Sequence, residues 1–253
     1  AAEAAGEIGL RVYLGPAYRV GGMICEAPGQ LKPVFDEDQG MAGLAAAVEF
    51  IEAQAGRHGG LIQGLLAPDR VETCTQDLLT RTMAAAKDLD VPVRLHMAQG
   101  AMELDVLHRL HGMSGPEWLA GFGALTSRLI APHATHASDS DLALYRDHGV
   151  TIAHCPLVSA RQGDVLRSFG KCRAIGLGTD TAPPDMVLNM AVGVMGARFA
   201  GDAAGDVTSA DLFDAATLGG ASALGRSDLG RLCEGSKADI AVFDLADAMI
   251  APT

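Results

Sequence analysis

The sequence predicts an α/β fold built on parallel β-strands, either an open doubly wound sheet or a β/α barrel. Short apolar runs alternate with longer amphipathic stretches along most of the chain, which is the pattern of strands joined by helices. Several runs are rich in Val, Ile and Leu without polar alternation, as expected for strands that are covered on both faces. The predicted strands are Leu10–Leu14, Leu61–Leu66, Val91–His96, Leu129–His133, Val150–Cys155 and Ala174–Gly178.

Amphipathic stretches with capping residues at their ends predict the helices between these strands. Thr75 is a candidate N-cap for the second helix, and Ser138 with Asp141 forms a capping box for the fourth. Gly149 follows the fourth helix as a C-terminal capping glycine. The predicted helices are Met41–Gln54, Thr75–Leu89, Met102–Leu110, Ser138–His148 and Leu166–Lys171. Beyond residue 207 the predicted elements are a helix, Thr208–Ala216, and a last strand, Asp239–Phe243.

Composition and charge exclude several classes of protein. The 253 residues carry 19 Lys+Arg against 31 Asp+Glu, a net charge of −12, which argues against a nucleic-acid-binding protein. Hydrophobic residues make up 49% and charged ones 20%, so a disordered chain is excluded. No apolar run reaches the ~18–20 residues of a membrane span, and the first residues show no signal-peptide pattern. The five cysteines include no CxxC pair, so we expect a reducing compartment and a cytoplasmic protein.

Candidate functional residues stand at the carboxyl ends of four consecutive predicted strands. His96 and His133 are the last residues of their strands, whereas His154 lies near the end of the next one. Asp180 comes directly after the last strand. In a β/α barrel these ends surround one mouth, where imidazole nitrogens and a carboxylate could share a Zn²⁺ or Fe²⁺ ion. One such histidine is more often structural, but the joint pattern favours a site, which His136 is expected to support without ligating.

Five short segments follow one another along the chain, and their order is more informative than any one of them. They are Leu95-His96-Met97-Ala98-Gln99 with Glu103, Pro132-His133-Ala134-Thr135-His136, Ala153-His154-Cys155-Pro156, Gly176-Leu177-Gly178-Thr179-Asp180, and the tail Gly230–Ile240. Together they resemble the amidohydrolase superfamily, in its mononuclear branch of cytosine-, guanine- and triazine-type aminohydrolases. The tail resembles that family's return from the barrel into a small β-sandwich.

The resemblance implies a (β/α)8 TIM-type barrel in which His96, His133 and Asp180 ligate one divalent metal, zinc in the first place and iron as the alternative. The metal would activate the attacking water, and Asp180 would pass the water's proton to the leaving nitrogen. His154 would hydrogen-bond the attacked group or the oxyanion. Leu61–Leu66 is not followed by the lysine that binuclear branches carry, so a single metal is expected.

The chain also departs from the family pattern at its start. The family takes two further ligands from a His-x-His on its first strand, and no His-x-His occurs in this sequence. Matching strands in order makes Leu10–Leu14 the third strand, so we expect a fragment that holds strands 3–8 only. On this interpretation residues 1–225 form a partial barrel and residues 226–253 return towards the β-sandwich.

Three positions around the site leave the reaction type open. Gln99 stands where deaminases of this branch usually place a proton-shuttling glutamate, and a glutamine cannot ionise. Asp69 stands where the family often has a histidine, and it could bind substrate or cap a turn. Arg161, shortly after His154, is a candidate for holding an anionic or carbonyl group of the substrate. Glu103 is expected to be structural.

The leading prediction is therefore a metal-dependent hydrolase that cleaves a C–N bond in a nitrogen heterocycle such as a purine, pterin or triazine. One alternative is a cyclic-amide hydrolase in which Asp180 alone handles both proton transfers. Another is a catalytically silent, truncated barrel that only binds a ligand or partner. A small-molecule substrate is the expected partner, with self-association as an option, whereas nucleic acid and membranes are not expected. A dinucleotide-binding fold is disfavoured because the Gly219–Gly225 stretch lacks the G-x-G-x-x-G spacing.

Overall fold

The computed structural model describes residues 1–28, 30–166, 169–172, 174–181, 183–200 and 207–244. The strands are β1 Val12–Leu14, β2 Ala17–Tyr18, β3 Gly21–Ala27, β4 Gln30–Phe35, β5 Ile62–Gly64, β6 Ala67–Pro68, β7 Val93–Arg94, β8 Leu129–Pro132, β9 Thr151–His154 and β10 Ile175–Leu177. The α-helices are α1 Ala2–Glu7, α2 Glu37–Gln54, α3 Gln76–Asp88, α4 Ala101–His111, α5 Gly115–Gly121, α6 Asp139–His148, α7 Pro156–Arg161, α8 Met186–Phe199, α9 Ser209–Asp214 and α10 Gly220–Ala223.

Parallel strands lie side by side in the order in which they occur along the chain. β1 and β2 pair with β5 and β6, so that Val12 faces Ile62 and Ala17 faces Ala67. A bridge at Leu66 links this pair to β7, and β7, β8, β9 and β10 then form one parallel sheet. Helices connect the successive strands, which is the arrangement of a β/α barrel. The chain thus folds as an open part of such a barrel, and all six predicted strands are confirmed with shorter bounds.

The core fills the space between the parallel strands and their helices. Leu66 lies between β5 and β6, Leu95 directly follows β7, and Leu129 and Ile152 belong to β8 and β9; all four are at most 2% exposed. Helix α3 packs Leu78 into the same apolar cluster. Burial on both faces explains why these strands lack polar alternation and why they could be predicted from sequence. The strand ends therefore rest on a closely packed apolar core.

The helix caps follow the sequence prediction closely. The side chains of Thr75, Ser138 and Thr208 each accept a backbone N–H in the first turn of the helix that follows. Gly149 ends α6 in the left-handed conformation with φ 72°. Asp185 caps α8 by accepting the N–H of Leu188. These interactions are local in sequence, which is why the pattern of residues indicates them.

An antiparallel hairpin between β2 and α2 was not predicted. Strand β3 runs antiparallel to β4, with Gly21 opposite Phe35 and a bulge between Cys25 and Ala27. The Pro28-Gly29 dipeptide is the turn signal that could have indicated it. The hairpin stands apart from the parallel sheet and lies beside the carboxyl ends of the strands.

Two predicted elements differ in the structure. The predicted strand Asp239–Phe243 is wrong, because no described segment pairs with its backbone and β-propensity alone does not form a strand. The predicted helix Leu166–Lys171 is reduced to a 3₁₀ turn at Phe169–Lys171, a segment too short to sustain an α-helix, and residues 167 and 168 lie outside the described residues. Residues 245–253, including the end of the predicted return segment, also lie outside them.

None of the helices in the described ranges is both long enough and apolar enough to cross a membrane. The predicted cytoplasmic location and the predicted boundary at residues 225 and 226 stay predictions.

Candidate active site

The candidate residues stand at the carboxyl ends of adjacent strands, as the sequence predicts. His96 lies shortly after β7, His133 follows β8, His154 ends β9, and Asp180 lies shortly after β10. His133 has φ 75° and Asp180 has φ 54°, a left-handed backbone that residues other than glycine rarely adopt. Ala98 shares this conformation with φ 51°. Such backbone strain is concentrated at functional sites, and it was not predictable from the residue pattern.

Two imidazoles and one carboxylate come together at this edge. The rings of His96 and His133 stack with centroids 5.4 Å apart and an interplanar angle of 24°. His133 Nε2 lies 3.8 Å from Asp180 Oδ2. That gap is longer than a hydrogen bond of about 2.7–3.2 Å, so the two side chains approach each other without a direct hydrogen bond.

Hydrogen bonding orients one of these imidazoles for ligation. The backbone carbonyl of Asp69 lies 2.5 Å from His96 Nδ1 and accepts its proton. The neutral ring then keeps its lone pair on Nε2. A carbonyl partner on the other ring nitrogen is what metal-binding histidines usually have. The main chain of Asp69 therefore supports the site, whereas its side chain pairs with Arg19 at 2.9 Å.

All three strand-end histidines are neutral at neutral pH. Burial, followed by the electrostatic interactions with His96 and Arg70, lowers the pKa of His133 to about 4, and Asp180 only partly opposes this shift. Burial also lowers the pKa of His96. Burial, helped by His133, lowers the pKa of His154 to about 3. Unprotonated imidazole is the form that binds a metal ion, so the electrostatics of this edge suit metal ligation.

His154 is buried at the end of β9, the strand next to β8, and it interacts electrostatically with His133. It is 4% exposed, and its Nδ1 has no hydrogen-bond partner among the described residues. A buried polar nitrogen without a partner costs free energy, about 1–3 kcal/mol. Such a group is explained by a water, a substrate or another ligand that completes it. The predicted role of His154 in binding a reacting group agrees with this environment.

Arg70, which the sequence pattern does not single out, connects Gln99 to two buried carboxylates. Its Nη1 donates to Gln99 Oε1 at 2.5 Å, its Nε donates to Glu72 Oε1 at 2.6 Å, and its Nη2 lies 3.7 Å from Glu103 Oε2. Glu103 also accepts the backbone N–H groups of Ala98 and Gln99. The expectation that Glu103 is structural is confirmed. The position of Arg70 directly after Asp69, at a strand end, was the available signal.

The other predicted residues lie around this cluster. His136 Nε2 is 3.2 Å from Asp164 Oδ2, and this pairing agrees with a supporting role. Arg161 ends helix α7 with an exposed side chain, and its substrate-binding role stays a prediction.

A cavity of about 530 Å³ opens beside Arg70. Arg19, Gln39, Glu72 and Met102 are among the residues that line it. Its volume lies within the range of small-molecule sites, about 300–1,000 Å³. The cavity lies between Arg70 and strand β3, and none of His96, Gln99, His133, His154 and Asp180 is among the described residues that line it.

The nitrogen and oxygen donors of His96, His133 and Asp180 suit a divalent metal chemically, although the structure brings these side chains together only two at a time. His96 contacts His133, and His133 faces Asp180, so neutral nitrogen and carboxylate oxygen donors are adjacent. Within the described ranges, no group of three His, Cys, Asp or Glu side chains is disposed to hold an ion together. Burial raises the pKa of the neighbouring Cys155 to about 12, so this thiol is not a candidate ligand. The ligand set His96, His133 and Asp180 stays a prediction.

Comparison with curated proteins identifies a group of related deaminases. The chain is 30% identical over 259 residues to a 5-methylthioadenosine/S-adenosylhomocysteine deaminase of Pyrococcus abyssi, covering 99% of the chain and 58% of that protein. It is 31% identical over 204 residues to a protein of the same name from Nitratidesulfovibrio vulgaris, covering 78% of the chain and 46% of that protein. The chain thus spans about half the length of the curated relatives it matches.

Solved structures with the same fold include two zinc-containing enzymes. An adenosine deaminase from Xanthomonas campestris with bound zinc superposes with a TM-score of 0.81 at 24% identity, covering 99% of this chain and 56% of that one. An atrazine chlorohydrolase from Arthrobacter aurescens complexed with zinc gives a TM-score of 0.78 at 21% identity, covering 98% and 59%. The sequence model of the Amidohydrolase family matches residues 1–253, the whole chain. The chain therefore belongs to the amidohydrolase family, as its strand-end motifs predict.

Proposed function

We propose that the chain carries most of the active site of a metal-dependent hydrolase that removes an amino group from a nitrogen heterocycle. The observation that carries this proposal is the approach of neutral His133 to Asp180, 3.8 Å apart, at the sheet edge where the ring of His96 stacks on that of His133. The names of the curated relatives support an adenine nucleoside as the substrate class. The cavity beside Arg70 has the volume for such a ligand.

His96, His133 and Asp180 would hold one divalent cation, zinc first and iron as the alternative. When bound, the cation supplies a polarised water whose pKa falls from 15.7 towards about 7. The zinc bound in the structural neighbours supports zinc for this site. The carbonyl of Asp69 keeps the proton of His96 on Nδ1, so that Nε2 would be the nitrogen available to hold the cation.

The remaining steps belong to side chains of this chain. The Asp180 carboxylate accepts a proton from the attacking water and donates it to the leaving amine. His154, buried and neutral, offers a hydrogen bond to the oxygen that forms on the attacked carbon. Gln99 binds the substrate without exchanging a proton, because its amide does not ionise.

A cyclic-amide hydrolase is the second candidate, and one contact favours it. Arg70 holds the oxygen of Gln99 in a hydrogen bond, and the amide of Gln99 carries no ionisable proton to give to a ring nitrogen. Opening a cyclic amide requires only that Asp180 serve both proton transfers. The proposal and this alternative are separated by the product, which is ammonia for a deaminase and a ring-opened acid for an amide hydrolase.

Metal content tests the proposal first. Plasma mass spectrometry of the purified protein is expected to find about one zinc or iron per chain, since one site is proposed. His96→Ala and Asp180→Asn should lose that metal, whereas His108→Ala, on the exposed face of α4, should keep it. Asp180→Asn should also lower ammonia release from 5′-methylthioadenosine by about 10³-fold or more.

A folded wild-type protein without metal would contradict the proposal and favour the silent, ligand-binding alternative. Metal that survives both substitutions would place the ion elsewhere. Circular dichroism of each variant checks that loss of metal is not loss of fold.

A further inference from the structure

A second cavity lies between helices α7 and α8, apart from the cavity beside Arg70. Its volume is about 190 Å³. Its walls are formed by side chains of α7, by side chains of α8, and by the segment that contains Leu166 and Phe169. None of His96, His133 and Asp180 is among the described residues that line it. The cavity is therefore separate from the position proposed for the metal ion.

The wall of this cavity is apolar except at one point. Pro156 comes from α7 and Val192 from α8, and the described part of the lining is made of such residues together with glycine and alanine. Among these described residues, only His154 carries a polar side chain. Its ring meets the ring of Phe169 edge-on, with centroids 6.1 Å apart and an interplanar angle of 61°. The cavity is thus an apolar space with a single imidazole in its wall.

This imidazole has unused hydrogen-bonding capacity. His154 is 4% exposed, and its Nδ1 has no hydrogen-bond partner among the described residues. A buried polar atom in this state requires a group that completes it. A water molecule is a poor solution in this cavity, because a buried water needs about two to four polar partners and the described wall offers one polar side chain. A molecule that is mostly apolar and carries one polar group matches the wall better.

The size and the surroundings of the cavity suit a ligand built on one aromatic ring. An apolar cavity of about 150 Å³ is large enough to bind benzene. Met195 and Phe199 of α8 line the cavity and are 49% and 85% exposed, so an apolar path connects it with the protein surface. A metal ion would find only one side-chain donor here, and a nucleoside would leave most of its polar groups unpaired.

We infer that the cavity between α7 and α8 is a second ligand site, which binds a small neutral molecule with one apolar ring and one hydroxyl group, as phenols have, and that the hydroxyl forms a hydrogen bond with His154. A hydroxyl can donate and accept, so it pairs with an imidazole nitrogen in either tautomer. The ring of the ligand is removed from water by the apolar wall, which favours binding. The site does not depend on the proposed deaminase function, since neither a metal ion nor a heterocycle takes part in it.

Phenol and toluene are the probes that test this site, because they share a ring and are similar in size, and only phenol carries a hydroxyl. Titration calorimetry on the purified protein is expected to show that phenol binds. His154→Phe keeps an aromatic ring but removes both nitrogens, so it should weaken the binding of phenol by about 10-fold or more, because the buried hydroxyl is left unpaired. Toluene should bind this variant at least as tightly as it binds the wild type.

Filling the cavity tests where the probes bind. Gly196 of α8 lines the cavity, and a Cβ atom added there meets Val165 Cγ1 at 3.5 Å, an ordinary contact distance. Gly196→Leu should abolish the binding of both probes and keep or raise the thermal transition, because leucine favours a helix more than glycine does. Ala160→Leu fills the cavity from α7 and should also abolish binding, which keeps the test valid if the first variant does not fold.

Gly121→Leu is the matched control. Gly121 is exposed on α5, and an added Cβ atom meets no described atom within 4 Å, so this variant should bind phenol as the wild type does. The thermal transition of each variant reports whether it folds.

Three results would overturn the inference. A folded wild type that does not bind phenol lacks the site. Phenol that still binds Gly196→Leu and Ala160→Leu occupies another place. Phenol that binds the wild type and His154→Phe equally well makes no use of the imidazole. Loss of ammonia release in His154→Phe would bear on the proposed function and leave the inference about this cavity unchanged.

Discussion

At the scale of single residues, Glu103 shows how the candidate site is held in place by charge that is costly to bury. Its carboxylate takes two backbone N–H groups and lies near the Arg70 guanidinium, yet it is 1% exposed. Burial, followed by the charge of Glu72, raises its pKa from 4.5 to about 7, and the hydrogen bonds only partly oppose the shift. The desolvation of this carboxylate outweighs its partners.

This pKa predicts a pH dependence of folding stability. The folded protein binds the Glu103 proton more tightly than the unfolded chain does, so the resulting stability is full below about pH 4.5 and is lost as the pH rises through about 7. The loss is at most about 3 kcal/mol. Glu103→Gln removes the titration, so urea unfolding at pH 5 and pH 8 should show a smaller fall for this variant than for the wild type. Glu52→Gln, on the exposed face of α2, should behave as the wild type, and equal slopes for all three proteins would contradict the prediction.

The residues of the candidate site show how much of it could be predicted from the sequence. His96, His133, His154 and Asp180 were predictable because each follows or ends an apolar run, and parallel strands bring their ends to one edge. The contact between Arg70 and Gln99 was not predictable, because the two residues are 29 positions apart in the sequence and their burial is defined only by the folded chain. A pattern of residue types shows which groups are available. It does not show which way an amide points.

At the scale of elements, one carboxylate joins the starts of two helices. Asp141 Oδ2 accepts the N–H of Ser138 at 2.9 Å and its hydroxyl at 2.7 Å, which completes the capping box of α6. Asp141 Oδ1 accepts the hydroxyl of Ser114, the N-cap of α5, at 2.5 Å. Asp141 is 3% exposed, so water does not replace these bonds readily. The two helix starts are therefore coupled through a single side chain.

Asp141→Ala should lower the free energy of unfolding by about 2–3 kcal/mol, because it removes a cap and leaves buried donors without an acceptor. Denaturant unfolding followed by circular dichroism measures the change. Asp139→Ala is the matched control in the same helical turn: it breaks only an exposed ion pair with Lys171 and should cost less than about 0.5 kcal/mol. Similar losses in both variants would show that the capping network does not carry this stability.

Helices and strands could be predicted from the sequence where the interactions that stabilise them join residues close together in the sequence. The capping box at Ser138 and the glycine at 149 lie within a few residues of the turns they stabilise, and the start and end of α6 follow from them. The segment Asp239–Phe243 has the composition of a strand, but a strand needs a neighbour, and no described segment supplies one. The pairing of strands depends on the whole fold and cannot be derived from the composition of one segment.

At the scale of the whole molecule, two polar contacts join the C-terminal segment to the first parallel strand. Arg226 Nη1 donates to Tyr13 Oη at 2.9 Å, and Asp228 holds the same guanidinium through two bonds of 2.7 and 2.8 Å. Arg11 Nε donates to Asp239 Oδ2 at 2.6 Å. These partners are separated by 213 and 228 residues along the chain. They connect the two ends of the described chain without adding a strand.

A double-mutant cycle measures how much this long-range contact stabilises the molecule. Tyr13→Phe removes only the hydroxyl that accepts from Arg226, and Arg226→Met removes the donor while keeping the aliphatic stem. Because the guanidinium is partly exposed, each single substitution should cost about 1 kcal/mol, and the double variant should cost about 1 kcal/mol less than their sum. Urea unfolding of the four proteins gives the coupling.

The pair Arg128 and Asp90, an exposed bridge of 2.9 Å, is the reference and should couple by less than about 0.5 kcal/mol. A coupling between Tyr13 and Arg226 that is no larger than this reference would mean that the C-terminal segment rests on the barrel without stabilising it.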